Sequence, residues 1–391
     1  MLSTNEKLNI MKAALKVRNA RVMIIGLGSV GNYLLDYLMS LADEKMDICV
    51  VGRNEGKIQS DINIVRVASM IRKQNKTNIT VLGNVDLEDI NAILFAIASF
   101  KPDIIVNSSR AYPRLKYGSI SWNTIRAYGI WTPLAIKYTK NIMAAYEIAK
   151  SNAIVINTSY SDAVIPWLKT AGKAYPDFGS GNINHLLPRI KFAIADEAAI
   201  KDYWNIDVTL AVSHFHDVVI SKEGHAEDVE MLINVKYQDK NMDIDINKIL
   251  SKCSISMPTD SKRNQMNASS NFEIITAILD AVRNKKIIKL HCPGVFGEIG
   301  GYPVIMDGSR EEVSVYVYED YFSIERMRTK NRESIYLDGI ESIENGILTY
   351  TDELLKKVKD AFGTDLVKTV HFDEIDEVAE YIIKEIIEKY R

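Results

Sequence analysis

Two histidines sit two residues apart in Ser213-His-Phe-His-Asp217, at the end of an apolar run, 207–212, that reads as a strand. Imidazole titrates near neutrality and suits proton transfer to or from a carbinol. On a strand alternate residues share a face, so the spacing predicts that His214 and His216 point the same way. The chain holds only six His. Two at one strand end, beside an acid, are therefore the first catalytic candidates, although a buried, hydrogen-bonded His is an ordinary alternative. Two such His can also be metal ligands. His291-Cys292, at the mouth of a glycine-rich stretch from Pro293 to Pro303, can complete that site. Free Cys more often lies in a core. The preferred reading is thus a tight connector with a buried Cys292, and no metal is assigned.

A second constellation lies near the start. Gly26, Gly28 and Gly31 stand in Ile25-Gly-Leu-Gly-Ser-Val-Gly-Asn32, between an apolar β-like run and the helix-like run 32–41. A G-x-G-x-x-G joining strand to helix is the pattern of a dinucleotide pyrophosphate site. Gly26 makes the turn, Gly28 admits the phosphates and Gly31 lets helix and strand close up. The free N–H groups of the helix start, around Ser29 and Val30, face the anion. The next strand ends in Val51-Gly-Arg-Asn54, with no carboxylate at the place where one would bond a ribose 2′-OH and favour NAD. Arg53 offers a planar fork to a 2′-phosphate, and Asn54 can assist. NADP is therefore expected over NAD, with Glu55 close by as the opposing sign and a solvated Arg53 as the alternative.

A third segment, 109–131, is long, irregular, aromatic and basic. It follows the run Asp103–Asn107 and Ser108, and carries Arg110 and Arg114. Long loops at this edge of a sheet serve as lids or clamps. Arg110 and Arg114 can grip a carboxylate, or simply be solvated.

Elements that could position these groups follow from periodicity. Strands are expected at 22–25, 47–51, 79–82, 103–107 and 153–157, separated by helices at 30–42, 57–74, 87–99 and 132–151. This alternation implies a parallel sheet with right-handed crossovers. Such sheets bind ligands at the carboxyl ends of their strands. After about 160 the texture becomes α+β, with strands at 207–212, 230–237, 304–305 and 312–318 and helices at 185–202, 267–284 and 320–336. Two domains are expected, 1–160 and 161–391. Residues 374–390 read as a periodic helix.

The formal net charge of −3 offers no basic excess for nucleic acid. No apolar run reaches membrane-spanning length. The N-terminus lacks the order of a secretion signal. Cys49, Cys253 and Cys292 are odd in number and far apart, so a reducing cytoplasm is expected.

The order of signals resembles the lactate/malate dehydrogenase-like superfamily over most of residues 20–355. Val155-Ile-Asn-Thr-Ser-Tyr-Ser-Asp162 stands where that family has an Asn-Pro-Val-Asp turn, with Ser159 in place of its Asn and Asp162 matching its Asp. Gly179-Ser-Gly-Asn-Ile-Asn-His-Leu-Leu-Pro-Arg189 is similar to the stretch that carries the substrate-binding Arg, which Arg189 could match. The family's acidic partner of the catalytic His is missing there, with Asn184, His185 and Leu186 in its neighbourhood. His214 or His216 is the counterpart of the catalytic His. The resemblance implies an N-terminal Rossmann doubly wound parallel sheet followed by an α+β substrate domain, and a homodimer or homotetramer. It implies an NAD(P)-dependent oxidoreductase acting on a small carboxylate-bearing carbonyl or carbinol. The expected catalytic residues are His214, His216, Arg189, Arg110 and Arg114. Ser108, Asn157 and Ser159 are expected at the nicotinamide. A nucleotide-sensing protein with a degenerate site is one alternative, and a metal-assisted, NAD-dependent hydrolase or lyase is another.

Overall fold

The computed structural model describes residues 2–113, 117–258 and 260–389. A short helix α1 (Thr4–Ala14) leads into β1 (Ala20–Ile25), α2 (Ser29–Leu41), β2 (Met46–Val51), α3 (Glu55–Arg72), β3 (Asn78–Leu82), α4 (Ile90–Phe100) and β4 (Ile104–Asn107). After the irregular segment come α5 (Thr132–Ile148), β5 (Ile154–Asn157), α6 (Ser161–Thr170) and β6 (Phe178–Gly179). The six strands form one parallel sheet in the order β3-β2-β1-β4-β5-β6. The period-2 rule divides each strand between two cores. Met23, Ile25, Cys49, Val51, Ile105 and Val155 face one side, toward Trp131 and Trp167. Val22, Ile24, Ile48, Val50, Ile104 and Val106 face the other, toward Leu34 and Leu38. Helices cover both faces, which explains why these strands read as unbroken apolar runs. Strand order reverses between β1 and β4, and such a switch point leaves a crevice at the carboxyl ends.

The first helix is pinned to the far edge. Lys7 Nζ lies 2.9 Å from the Asp177 carboxylate, and both side chains are buried. Asp177 also accepts from the Thr4 hydroxyl and from the Val155 N–H, each at 2.9 Å. The sixth strand therefore returns to the sheet from beyond residue 160, held by the N-terminus.

The remainder is built from α7 (Asn182–Glu197), α8 (His214–Glu223), α9 (Asn264–Asn284), α10 (Ile324–Leu337), α11 (Asp352–Phe362) and α12 (Ile375–Ile382), with three antiparallel sheets. These contain β7 (Ile206–Ala211), β8 (Leu232–Tyr237) and β9 (Lys240–Asn241); β10 (Ile287–Pro293), β11 (Gly301–Asp307) and β12 (Ser314–Val317); and β13 (Ile340–Glu344), β14 (Ile347–Tyr350) and β15 (Thr369–His371). Two details differ from the sequence reading. His291 and Cys292 lie inside a strand paired with β11, and the glycines after them form its connector. The periodic stretch 374–390 is α12 followed by a π-helical turn, Ile383–Ile387. No described helix is long and apolar enough to cross a membrane.

Candidate active site

The glycine turn has the geometry its spacing implies. Gly26 has φ +90°, a conformation only glycine adopts without strain. A Cβ on Gly31 would sit 2.2 Å from the Gly26 carbonyl oxygen, whereas one on Gly28 would meet nothing within 4 Å. The third glycine thus closes the helix onto the turn, and the second leaves space in front of it. Ser108, just after β4, donates its hydroxyl to the Gly26 carbonyl at 2.7 Å. This side chain fixes the turn. Ser29 Oγ, in the first turn of α2, accepts from Asn264 Nδ2 at 2.5 Å and so ties α2 to α9. Val30 is buried beneath the turn.

A cleft of about 840 Å3 runs from this turn in both directions. One arm passes Arg53, Asn54 and Lys57; the other passes Ser108 and Arg110 toward Asn182, Arg189, Asp217 and Arg263. Asn54 caps α3, its side chain accepting from the Lys57 N–H at 2.9 Å, while Arg53 is exposed. Glu55 lies over Gly83, where a Cβ would fall 2.3 Å from its own.

The paired histidines do not share a face. The strand ends at Ala211, Ser213 is the N-cap, and His214 begins α8. Residues two apart on a helix point in nearly opposite directions. His214 Nδ1 lies 2.9 Å from Asp338 Oδ2. Its ring meets the edges of Tyr128 and Tyr160 at centroid distances of 4.6 and 4.9 Å, and its backbone N–H donates to Asp162 Oδ1 at 3.0 Å. His216 turns the other way. It is wholly buried, its Nδ1 is 2.6 Å from Ser334 Oγ on α10, and burial pushes its pKa down to about 4. His291 accepts from the Leu210 N–H at 3.2 Å, and burial holds it neutral, with a pKa of about 3. Among the described residues no group of three or more His, Cys, Asp or Glu is placed to hold a metal ion.

Asp338 follows α10 and is fully buried. Besides His214 it accepts from the Tyr160 hydroxyl at 2.6 Å and from the Tyr128 N–H at 2.7 Å. Three donors hold this carboxylate in one orientation, which in turn orients the imidazole. With Nδ1 engaged, Nε2 is the atom left to exchange a proton. His214 lines a small recess of about 50 Å3 with Arg110, Ser159, Asp162, Asn182 and Asn267. Sequence reasoning left the acidic partner missing. Nothing local marks it, because Leu337-Asp-Gly339 reads as an ordinary helix stop.

The other expected residues divide. Arg110 and Ser159 reach the recess. Arg189 lines the cleft, with one guanidinium nitrogen 2.9 Å from the Cys253 carbonyl and another 3.2 Å from the Met257 sulfur. Burial lowers its pKa. Asn157 is withdrawn from the cleft. Its amide nitrogen donates to the Ser159 carbonyl and the Ser161 hydroxyl, and its oxygen accepts from Asn107 and Thr139, leaving nothing to offer a nicotinamide. Arg114 lies outside the described residues. Two carboxyls near His214 have raised pKa values because burial disfavours their charge: Asp162 at about 6 and Asp217 at about 7.

This fold has counterparts among solved structures. The malate dehydrogenase from Cryptosporidium parvum aligns with 82% of this chain and 98% of its own, at TM-score 0.52 and 14% identity. The malate dehydrogenase from Aeropyrum pernix aligns with 80% of this chain and 95% of its own, at TM-score 0.51 and 15% identity. The fold is that of the malate dehydrogenases. No family model and no curated protein matches the sequence. The malate dehydrogenase-like fold accounts for the six-stranded sheet and the following α+β half, and leaves the site's chemistry to its own residues.

Proposed function

We propose that this protein is an NAD(P)-dependent oxidoreductase. It transfers hydride between a nicotinamide dinucleotide, NADP in preference to NAD, and a small carboxylate-bearing carbonyl or carbinol. The observation that carries this reading is the His214–Asp338 pair, set in a recess beside the cleft that begins at the glycine turn.

The turn fits a dinucleotide. Space opens in front of Gly28, Gly31 brings the helix N-terminus close, and the N–H groups around Ser29 and Val30 would hold the pyrophosphate. Arg53 and Lys57 line this arm and suit a 2′-phosphate, with Glu55 close by as the opposing sign. Bound there, the nicotinamide supplies or accepts the hydride. His214 gives a proton to the substrate oxygen on reduction and takes it on oxidation, and Asp338 stabilises the imidazolium. Arg110 and Arg189 attract the substrate carboxylate. Residues 1–160 form the dinucleotide part and 161–391 the substrate part, with β6 lent back to the sheet. A homodimer or homotetramer is the assembly that the dehydrogenase resemblance implies.

The test is a pair of measurements on His214→Gln. Turnover should vanish while NADPH titration stays nearly unchanged. Full turnover in this variant, or no binding of either pyridine nucleotide to the folded wild-type protein, overturns the reading.

A further inference from the structure

Helices α7 and α8 pack together and bring two buried ionisable side chains with unfilled hydrogen-bonding positions to one arm of the cleft. Arg189, on α7, is 3% exposed, and among the described residues its guanidinium hydrogen-bonds a carbonyl and a thioether. Its Nε has no hydrogen-bond partner among the described residues. Asp217, in the first turn of α8, is 5% exposed, and its Oδ1 has no partner among the described residues either. The two groups therefore do not satisfy each other, although they line the same arm. A buried guanidinium and a buried carboxylate left this way are costly unless a ligand completes them.

The sign of the missing ligand follows. A plain carboxylate would satisfy Arg189 and place a second negative charge near Asp217. A plain amine would satisfy Asp217 and leave Arg189 bare. A ligand with both charges completes both, and it also suits the recess, where the Asp162 carboxyl stands beside His214.

We propose that the substrate is zwitterionic: an amino-hydroxy acid, or its keto form, whose carboxylate meets Arg189 and whose ammonium meets Asp217. The assignment rests on the oxidoreductase reading. Its oxidative direction balances in the ordinary way. The carbinol C–H leaves as hydride to the oxidised dinucleotide, the O–H proton passes to His214, and a C=O bond forms. The ammonium takes no part in the electron transfer; it selects the substrate.

The matched probes are lactate and 3-amino-2-hydroxypropanoate (isoserine), which differ by one ammonium group. With NADP+ present, isoserine should exceed lactate in kcat/KM by about a hundredfold, the worth of one hydrogen bond to a charged group. In Asp217→Asn the ratio should fall toward one. Calorimetry of both probes against wild-type protein loaded with NADP+ reads the same preference without turnover. Equal affinity for the two probes, or no binding of isoserine to loaded protein, overturns the assignment. Isoserine binding by a protein that binds no dinucleotide would overturn the oxidoreductase reading and leave Arg189 and Asp217 as a site that binds a zwitterion without oxidising it.

Discussion

His214 and Asp338 are 124 residues apart in the chain and 2.9 Å apart between Nδ1 and Oδ2. A helix start and a helix stop from opposite ends of the α+β half meet at this contact. The carboxylate also collects donors from Tyr128 and Tyr160, so it belongs to a network in which each member fixes the next.

Asp338→Asn keeps the shape and removes the charge. Turnover is expected to fall by about 10²–10⁴-fold, the usual contribution of positioned acid–base catalysis. NADPH affinity is expected to hold, and the pH–rate profile to move, because the imidazolium loses the carboxylate that stabilises it. Steady-state kinetics across pH, with a parallel fluorescence titration, checks both. An unchanged profile would remove Asp338 from the mechanism.

The glycines separate folding from binding. Gly31→Ala drives a methyl toward the Gly26 carbonyl and should cost about 1–3 kcal/mol of stability, as overpacking does. Gly28→Ala meets no protein atom, so stability should hold while dinucleotide affinity drops. Urea unfolding and nucleotide titration of the two variants should give opposite patterns.

Arg53→Gln should weaken NADPH by about 10–100-fold, the range set by one hydrogen bond to a charged group. NADH should bind nearly as before. Equal losses for both nucleotides would place Arg53 away from the 2′-phosphate.

Stability should depend on pH through buried acids and imidazoles of opposite sense. Asp217 holds its proton to about 7 and Asp162 to about 6, against an ordinary value of 3.8. The folded protein binds these protons more tightly than the unfolded chain, so their contribution is fully present below about 4 and lost as pH rises through 6 and 7. His216 and His291 have values lowered from 6.5 to about 4 and about 3. Their contribution is present above 6.5 and lost as pH falls. The two effects oppose each other between about pH 4 and 6.5. Asp217→Asn removes one of them and should stabilise the protein progressively from pH 4 to 8, by up to about 4 kcal/mol. Denaturant midpoints at pH 5 and pH 8 test this. A constant difference between variant and wild type would show that Asp217 ionises normally.

The sheet was legible because parallel strands covered on both faces must be apolar throughout, as Val22–Ile25 and Ile104–Val106 are. The glycine turn was legible because three backbone demands fall at fixed spacing. The start of α8 was misread although its signal was present. Ser213 is an N-cap residue, and Asp217 places an acid in the first turn, but the apolar run of β7 masked the change of period. The hairpin from β13 to β14 also carried its signal. Asn345-Gly346 has positive φ at both positions, 51° and 74°, as a tight hairpin turn requires. Asp338 had no local signature. Its role comes from three donors distant in sequence, and no spacing rule reaches across them. Asn157 failed for the converse reason, since neighbours that the sequence does not place beside it consume its amide.

The place of Asp338 along the chain has a consequence for synthesis. A ribosome that has completed all six strands of the parallel sheet and both neighbours of the imidazole has still to make the carboxylate that orients it. On the proposed chemistry, products released before residue 338 reduce nothing. Competence arrives late in translation, only once the chain has passed residue 338 of 391.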